Sequence, residues 1–476
     1  MLITLAAPAF AGTWCIDEGN ITVKAGDTKG KNTVSQGNKK DVEDTNTIIT
    51  GTSDKNTVTI DTSKGNVDVT FDDLNIDASS RKEAAMSVTG SGNTTIKLDG
   101  DNHLTGGNGS SGIDSIGSLT IYGGENDSLT AKGGSGADGS GGDGIHSGSL
   151  TIYGGTVNAN GGNCGDGNYS DGGSGIRISS HSLTIYDGTV NAKGGNGGSL
   201  VGGSGISNGG SLTVSDGTVT AKGGNGDSKD GYGGDGIRSG GGVTISGNTV
   251  NAAGGYGGKV GGYGICSFDR VGVAISGGTV EAAGGNGSTG GGSGIYSSVI
   301  DLSGSLELTA KAGSPNGKAL SQRGYELDLD TIKDKLGPGA KVTATDANGE
   351  TKQVSIPRPV EPEESSSSSD GGSAAPSAPA SPLPGLTVTD KDGQRISYTS
   401  TQSGNTLTVC VGRLTASFRI SLAALRQLRA EGIETIAFQT VLCSTTLSVD
   451  ELLAMGGENA EAVLTHRFTD SSLTVG

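Results

Sequence analysis

The chain has 476 residues, enough for two or more domains, of which 90 are glycine and only 4% are aromatic. Fifty acidic residues against 33 basic ones give a net charge of −17, which disfavours nucleic acid and anionic lipid as partners because both carry negative charge themselves. No apolar run approaches the roughly 18 residues of a membrane-spanning helix, so the sequence predicts no membrane span.

The first eleven residues predict a signal peptide for export. Residues 2–11 form a short apolar run that ends in Ala9-Phe10-Ala11, the small-x-small pattern of a signal-peptidase site. The basic n-region of such signals is missing, which fits a start inside a longer signal. We therefore expect a secreted protein that is associated with the cell surface.

Residues 20–104 contain short segments in which apolar residues recur at every second position, the period of a β-strand. We interpret them as irregular first turns of the repeat that follows, because Phe71 and Met86 supply the larger side chains that close the end of a solenoid core. Residues 14–23 are the expected N-terminal cap. Strands are predicted at residues 57–60, 67–71, 74–76, 85–88 and 95–98.

From Gly112 to Tyr296 one phrase recurs: Gly-Ile, then Ser-Leu-Thr-Ile-Tyr-Gly-Gly, then Thr-Val-Asn-Ala-Lys-Gly-Gly-Asn. Each period holds three apolar clusters with a spacing of two, separated by glycine pairs that we expect to supply the positive φ angles of tight turns. Each period is therefore predicted to form three strands and three turns. The Gly-Ile isoleucines recur about every 30 residues, at Ile113, Ile145, Ile176, Ile206, Ile237, Ile265 and Ile295.

One such period has only about five inward side chains, too few for a core, so successive periods must stack. Short strands and tight corners predict a parallel β-helix over residues 12–320, with equivalent residues about 4.8 Å apart along its axis. A β-propeller is the main alternative. Its blades need about 40 to 50 residues and four strands with an aromatic signature, and this chain has neither.

Residues 321–356 are predicted to cap the C-terminal end of the β-helix. Asp330–Leu336 has the pattern of a short amphipathic helix with Asp330 as its N-cap, and Asn-Gly within residues 346–350 indicates a hairpin turn. Residues 357–385, rich in proline, serine and alanine, predict a disordered linker.

Residues 386–476 have a different pattern and predict a small α+β accessory domain. Alternating strands are expected at residues 406–411, 417–420 and 434–438. One helix should begin at Leu422, and Ser448 with Glu451 forms a capping box for a second. The function of this domain is left open.

Outward side chains of stacked strands form ladders along the β-helix, and these ladders are the candidate sites. One ladder beside the Gly-Ile positions comprises Asp114, His146, Arg177, Ser207, Arg238, Cys266 and Tyr296. A second comprises Thr120, Thr151, Thr184, Thr213 and Thr244, with Tyr122, Tyr153 and Tyr186 beside them. A third comprises Asn158, Asn191 and Asn251, with Lys193 and Lys222.

Stacked tyrosines offer flat apolar faces with polar tips, a chemistry that suits sugar rings, and nearby polar residues can bond hydroxyl or carboxylate groups. The alternative is that stacked tyrosines and threonines only stabilise the sheet, and that asparagines in register bond each other. The predicted ligand-binding residues are Tyr122, Tyr153, Tyr186, His146, Arg177, Arg238, Asn158 and Asn191.

Aspartates crowd the glycine-rich corners that precede the Gly-Ile positions, and oxygen-rich loops of this kind can hold calcium. The alternative is ordinary turn chemistry, in which Asp-Gly favours a bend. The candidate calcium ligands are Asp143, Asp166, Asp171, Asp227, Asp230 and Asp235.

The sequence contains no catalytic motif, and its four histidines lack metal-ligand spacing. A polysaccharide lyase would need a cation to neutralise a uronate and a base to take the adjacent proton. Arg177 or Arg238, near Asp171 or Asp235, would have to fill these roles. Ion pairing on the surface explains the same residues. No catalytic residue is assigned.

Five scattered cysteines do not form a disulfide framework. In a β-helix Cys164 and Cys266 would lie roughly 14 Å apart, beyond disulfide reach. Both are therefore predicted to be unpaired, and the pairing of Cys410 with Cys443 stays open.

The phrases Val69-Thr-Phe-Asp-Asp-Leu-Asn-Ile-Asp-Ala78 and Thr95-Ile-Lys-Leu-Asp-Gly-Asp-Asn102, with the repeat blocks that follow, carry a family resemblance. Residues 57–310 resemble exported glycine-rich repeat proteins of Gram-positive anaerobes that are grouped with a carbohydrate-binding parallel β-helix family. The resemblance implies a right-handed coil, binding to acidic plant polysaccharide such as polygalacturonate, bound calcium, and a place at the cell surface without established catalysis. No ligand residue of that family is matched to a position here.

The sequence thus predicts an all-β protein, a right-handed parallel β-helix followed by a linker and a small α+β domain. Its expected function is non-catalytic binding of a uronate-rich polysaccharide along an outer face. Two alternatives are kept: an adhesin or spacer that contacts protein partners, and a calcium-dependent lyase. The oligomeric state is left open.

Overall fold

The computed structural model divides the chain into two compact units, residues 1–359 and 360–476. The first eleven residues and most of residues 357–385, predicted as signal and linker, lie outside the described part. The structure describes residues 12–27, 30–137, 139–165, 170–198, 200–227, 229–247, 249–358, 385–389, 395–396, 398–411, 415–440, 443–457, 460–467 and 470–476.

The first unit is a parallel β-solenoid of about 12 turns, which confirms the predicted β-helix. Each regular turn contributes a first strand, which contains the Gly-Ile isoleucine, and then a second and a third strand, which belong to another sheet. The parallel first strands are Ile21–Ala25, Val58–Asp61, Met86–Thr89, Ile113–Ser115, Ile145–Ser147, Ile176–Ile178, Ile206–Asn208, Ile237–Ser239, Ile265–Ser267, Ile295–Ser297 and Leu320–Gln322.

The second and third strands lie in one long sheet. In several turns a single bent strand replaces both, as in Ser149–Asn160, where the register shifts at the bend. The members of this sheet are Thr13–Cys15, Thr47–Ser53, Val67–Asp77, Asn93–Asp99, Asp101–Thr105, Ser118–Tyr122, Ser128–Lys132, Ser149–Asn160, Leu183–Lys193, Leu212–Val214, Thr218–Lys222, Val243–Ile245, Thr249–Ala253, Val273–Ala283, Ile300–Lys311, Lys341–Thr345 and Thr351–Ser355.

Small aliphatic side chains in register form the core. Ile145 pairs with Ile176 and Ile176 with Ile206, and all three are fully buried, as the repeat predicts. Phe71 and Met86 are buried in the less regular turns. Burial of apolar surface in one continuous column stabilises turns that could not fold singly.

The glycines of the repeat have two different structural roles. At the bend between second and third strands, Gly155 and Gly188 have φ of 73° and 96°, as expected for a tight turn. In the glycine-rich segment of each turn, the chain leaves the third strand through the sequence Gly-Gly-Asn, which we call the outgoing arm. It comes back to the next first strand through the sequence Gly-Gly-x-Gly, which we call the return arm. No described glycine of these arms has φ in the left-handed region, so our prediction of positive φ is wrong there.

Close approach of backbones explains the arm glycines. A Cβ on Gly203 would lie 1.8 Å from the carbonyl oxygen of Gly173 one turn earlier, and a Cβ on Gly195 would lie 1.9 Å from that of Gly162. Hydrogen bonds join the arms along the axis: Gly195 N donates to Gly173 O, and Gly203 N donates to Gly195 O, both at 2.8 Å. Only glycine fits such spacing, as in other closely packed extended chains.

Antiparallel strands extend the first-strand sheet at both ends. At the N-terminal end, Asn32–Gln36 pairs with Ile21–Ala25, and Lys39–Asp44 pairs with Asn32–Gln36. At the C-terminal end, Tyr325–Glu326 pairs with Leu320–Gln322. The 3-10 helix Ile16–Glu18 lies within the predicted N-terminal cap. These additions leave fewer open strand edges for pairing with another chain.

The predicted C-terminal helix is shifted and tighter than expected. It is the 3-10 helix Leu329–Lys335, and its N-cap is Asp328, whose side chain accepts a hydrogen bond from Asp330 N. The prediction of Asp330 as N-cap is wrong because Asp328 already satisfies that N–H group. The hairpin of Lys341–Thr345 and Thr351–Ser355 is confirmed.

Among its described residues the second unit contains two four-stranded sheets and two helices, which confirms a small α+β domain. Ser421 caps the helix Leu422–Ala430, and Ser448 caps the helix Val449–Met455 through Glu451 N. One sheet contains Leu386–Thr389, Thr415–Ser421, Glu461–Arg467 and Asp470–Val475, and the other Thr399–Ser403, Thr406–Cys410, Thr435–Gln439 and Ser444–Ser448. Within the part of the chain that the structure describes, no helix has the length and apolar character to cross a membrane.

Substitution Gly203→Ala tests the packing of the arms. We expect it to lower the free energy of unfolding by about 3 kcal/mol or more. The new methyl group would overlap the carbonyl oxygen of Gly173, which is backbone and cannot move aside as a side chain could. Urea denaturation followed by circular dichroism measures the change. Gly139→Ala is the matched control, since a Cβ there meets no atom within 4 Å and φ is not left-handed. Equal stability of the two variants would contradict the packing.

Candidate functional site

The ladder beside the Gly-Ile positions is in register as predicted. Asp114 pairs with His146, His146 with Arg177, and the same pairing continues one residue per turn through Tyr296. The inward neighbours are isoleucines in every regular turn, whereas the outward residue changes from turn to turn. This ladder therefore carries varied chemistry along one face of the β-helix.

A groove of about 490 Å³ lies between this ladder and the return arms. Arg177, Ser207 and Arg238 from three successive turns form one wall. The other wall includes the stacked residues at the start of the return arms, which are joined by parallel bridges from Val201 to Tyr232 and from Tyr232 to Val260. The groove also contains Asp171, Ser174, Ser204, Asp235 and Tyr263, together with arm glycines.

Arg177 is held by a carboxylate of the preceding turn. Its Nε donates to Asp143 Oδ2 at 2.7 Å, and Nη2 lies 3.5 Å from Ser174 Oγ. Asp143 Oδ1 accepts the backbone N–H of Ser174 at 2.6 Å. The carboxylate thus ties two turns together and fixes the arginine, which leaves Nη1 without a protein acceptor among the described residues.

Arg238 is fixed by a more buried carboxylate. Its Nη1 donates to Asp235 Oδ2 at 3.2 Å, and its guanidinium lies 4.6 Å from the ring centre of Phe268. Asp235 Oδ1 accepts the backbone N–H of Tyr263 at 2.7 Å. Burial raises the pKa of Asp235, and the arginine and the Tyr263 N–H oppose this shift.

Cys266 occupies the next ladder position but does not reach solvent. Its Sγ is fully buried, 3.4 Å from Asp235 Oδ2, and burial raises the pKa of the thiol well above its usual value. The rings of Tyr263 and Tyr296 stack beside it with centroids 4.8 Å apart. The five cysteines form no disulfide bond with one another, as predicted for Cys164 and Cys266.

His146 lies in the same ladder, one turn before Arg177, but does not line the groove. Its Nδ1 is 2.8 Å from Asp114 Oδ1, and its Nε2 is 2.6 Å from Ser179 Oγ. The hydrogen bond to Asp114 raises the pKa of His146, while partial burial opposes the shift. Asp114 belongs to the predicted ladder but was not among the predicted ligand-binding residues, and Ser179 was not predicted as a site residue.

The predicted tyrosines are stacked face to face on the other sheet. Tyr122, Tyr153 and Tyr186 have ring centroids 4.8 Å apart and are nearly parallel. A gap of this size admits no sugar ring, so both faces of Tyr153 are covered and only ring edges and hydroxyls face a ligand. The geometry favours the sheet-stabilising alternative, and a ligand-binding role for these tyrosines stays a prediction.

The predicted asparagines bond each other. Asn191 Nδ2 donates to Asn158 Oδ1 at 2.9 Å, which confirms the amide stacking that we kept as an alternative. A second asparagine ladder was not predicted. In the outgoing arms Asn163 Oδ1 accepts Asn196 N at 2.8 Å, and Asn196 Oδ1 accepts Asn225 N at 3.0 Å. The recurrence of Gly-Gly-Asn in the sequence is the signal for this ladder.

The candidate calcium ligands do not converge. Asp143 and Asp235 hold arginines and backbone N–H groups as described above, and Asp171 Oδ1 accepts Val201 N at 3.1 Å. Asp227 and Asp230 are exposed, and Asp166 lies outside the described residues. Among the residues that are described, no three His, Cys, Asp or Glu side chains are placed to hold a metal ion. Calcium stays a prediction from the resemblance.

Tyr153→Ala separates a structural role from a ligand-binding one. We expect the free energy of unfolding to fall by about 1 kcal/mol or more, because two ring stacks are lost, while polysaccharide binding stays unchanged. Chemical denaturation and a binding assay on the same preparation give both values. Tyr325→Ala, at a residue that is 78% exposed, is the control. Loss of binding at unchanged stability would instead support the tyrosine ladder as the binding surface.

Comparison with protein families, curated proteins and solved structures finds no match to this chain. The site is therefore interpreted from its own geometry.

Proposed function

We propose that this protein is an exported, cell-surface carbohydrate-binding protein that holds an acidic polysaccharide in the groove without cleaving it. The observation that supports this proposal is the placement of Arg177 and Arg238 on the same wall, two turns apart with Ser207 between them. Two turns correspond to about 10 Å along the axis. A linear polymer that lies along the β-helix would meet the two guanidinium groups in succession.

The arginines retain donors for a ligand. Their side chains are 46% and 51% exposed, and each makes its ion pair through a single nitrogen. Because a guanidinium has five N–H donors, the remaining ones can bind the carboxylate of a uronate or the hydroxyls of any sugar. Asp143 and Asp235 hold the guanidinium groups in place, which reduces the entropy lost on binding.

The groove contains further polar groups that suit a hydroxyl-rich ligand. Ser204 and Ser207 offer partly exposed hydroxyls, and Tyr232 and Tyr263 add amphipathic rings at its margin. The two ion-paired carboxylates balance the two arginines and Asp171 adds a further negative charge, so the groove is not cationic. Recognition would therefore rest on directed hydrogen bonds more than on net charge.

The alternatives have less support. A lyase needs an available base, yet Asp235 is bonded to three protein groups and Asp171 accepts a backbone N–H. An adhesin that contacts protein partners uses the same surface but requires no glycan. Calcium would have to bridge the polymer and exposed carboxylates such as Asp227 and Asp230. Whether binding of the polymer needs calcium is tested with a chelator.

The decisive experiment measures binding of the full chain to polygalacturonate and to a neutral polysaccharide, with and without chelator. Uronate binding supports the proposal, and a loss of binding with chelator adds calcium. Absence of glycan binding favours the adhesin. Unsaturated products that appear with calcium would establish the lyase.

Arg177→Ala and Arg238→Ala test the groove. Each should weaken binding to polygalacturonate at least about tenfold, because a hydrogen bond to a charged group contributes about 1.5–3 kcal/mol. Arg270→Ala removes the same charge from an exposed position outside the groove and should leave the affinity unchanged. Circular dichroism confirms that each variant is folded. Equal affinity of all three variants would reject the groove as the binding site.

A further inference from the structure

Three side chains from three successive turns form a hydrogen-bonded chain outside the groove. Asp114 Oδ1 lies 2.8 Å from His146 Nδ1, and His146 Nε2 lies 2.6 Å from Ser179 Oγ. Both distances fall within the range in which a base activates a nucleophile and a carboxylate orients that base. The order Asp, His, Ser along the chain is that of subtilisin-type triads, but such sites are recognised by geometry and roles and not by order.

The β-helix itself brings these residues together. Asp114 and His146 occupy equivalent ladder positions of adjacent turns, so the register places them side by side. Ser179 follows the next first strand, Ile176–Ile178, and its backbone N–H donates to Ser147 O at 3.0 Å. That bond keeps the serine beside the turn that carries His146.

The environment suits a nucleophilic serine. An aspartate that accepts from Nδ1–H directs the unprotonated Nε2 of His146 toward the serine hydroxyl. Ser179 is exposed to solvent, so a substrate can approach its Oγ. The backbone N–H of the following residue, Ser180, donates to no acceptor among the described residues, which makes it available to a developing oxyanion.

A neighbouring arginine connects this site with the groove. Arg177 stands two residues before Ser179, and because side chains alternate along a strand, both side chains face outward. An acidic glycan that is bound through Arg177 would carry its substituents close to Ser179. The choice of a glycan-borne substrate rests on the proposed function, whereas the hydrolytic chemistry does not.

We propose that Asp114, His146 and Ser179 form a serine-hydrolase site that removes ester-linked acyl groups, such as acetyl groups, from a carbohydrate. Binding of the polymer itself remains non-cleaving, since the glycosidic bonds are not the bonds attacked.

The reaction is balanced with water as the only co-reactant. Ser179 Oγ attacks the acyl carbon while His146 Nε2 takes the hydroxyl proton, and the bond to the sugar oxygen breaks as His146 returns that proton to it. Water then attacks the acyl-serine ester, again losing its proton to His146. The carboxylic acid leaves, and Ser179 regains its proton.

Covalent labelling gives the most direct test. The folded full chain is treated with a fluorophosphonate probe, and mass spectrometry locates the modified residue. We expect labelling of Ser179, with loss of labelling in Ser179→Ala and His146→Ala. Ser182→Ala and His181→Ala are matched controls, because both residues are exposed and lie in the same loop. Absence of labelling at Ser179 in the wild-type chain would overturn the proposal.

Hydrolysis of p-nitrophenyl acetate and of an acetylated polysaccharide measures the activity. Ser179→Ala and His146→Ala should lower the rate about 100-fold or more, while the control variants keep it. A wild-type rate equal to that of Ser179→Ala would reject the site. A chain that hydrolyses acetyl esters but does not bind polygalacturonate would refute the proposed function alone, and the reverse result would refute this inference alone.

The pH profile tests Asp114 as a positioning residue. His146 must be neutral to act as a base, so the rate should rise with pH through the pKa of His146. Asp114 and Asp143 raise this pKa, and Arg177 and burial lower it. Asp114→Asn should therefore lower the plateau rate and also move the profile to lower pH. An unchanged profile in Asp114→Asn would contradict the assigned role.

Discussion

Contact between glycine backbones is the constraint on which the rest of this structure depends. The arm glycines pack so closely that the carbonyl oxygen of Gly173 occupies the place of a side chain on Gly203. Hydrogen bonds from arm to arm then run along the axis. Because the arms satisfy their polar groups in this way without any apolar core of their own, they can project from the β-helix. Their projection creates the wall that turns an outer face into a groove.

The same residues that secure the turns also position the candidate ligands. Asp143 accepts the Ser174 N–H of the next turn and holds Arg177, and Asp235 does the same for Tyr263 and Arg238. A carboxylate that is already fixed by a backbone N–H costs little further ordering when it pairs with an arginine. Stability and site geometry are therefore coupled. Asp143 and Asp235, which the sequence suggested as calcium ligands, instead bond backbone N–H groups and arginines of the chain.

Much of the fold could be predicted from the sequence, because alternating apolar residues at a constant period have few solutions. The Ile145 and Ile176 register follows from that pattern alone. The glycine arms could not be assigned correctly, since one residue type serves both positive φ and close approach. The tyrosine ladder was located, but its stacking covers the ring faces of Tyr153, which only three-dimensional spacing reveals. Ser179 lies outside the repeat phrase and gave no signal.

In a β-helix, residues about one period apart in the sequence are neighbours in space. A site can therefore be built from equivalent positions of successive turns. Inward positions are restricted to small aliphatic residues by the column that they share, whereas the ladder of Asp114, His146, Arg177 and Arg238 is free of that restriction. A change of one outward residue alters one rung and leaves the core untouched. The fold therefore does not require the outward residue beside each Gly-Ile isoleucine to vary as it does. This variation, next to isoleucines that stay the same, indicates that this face is the functional one.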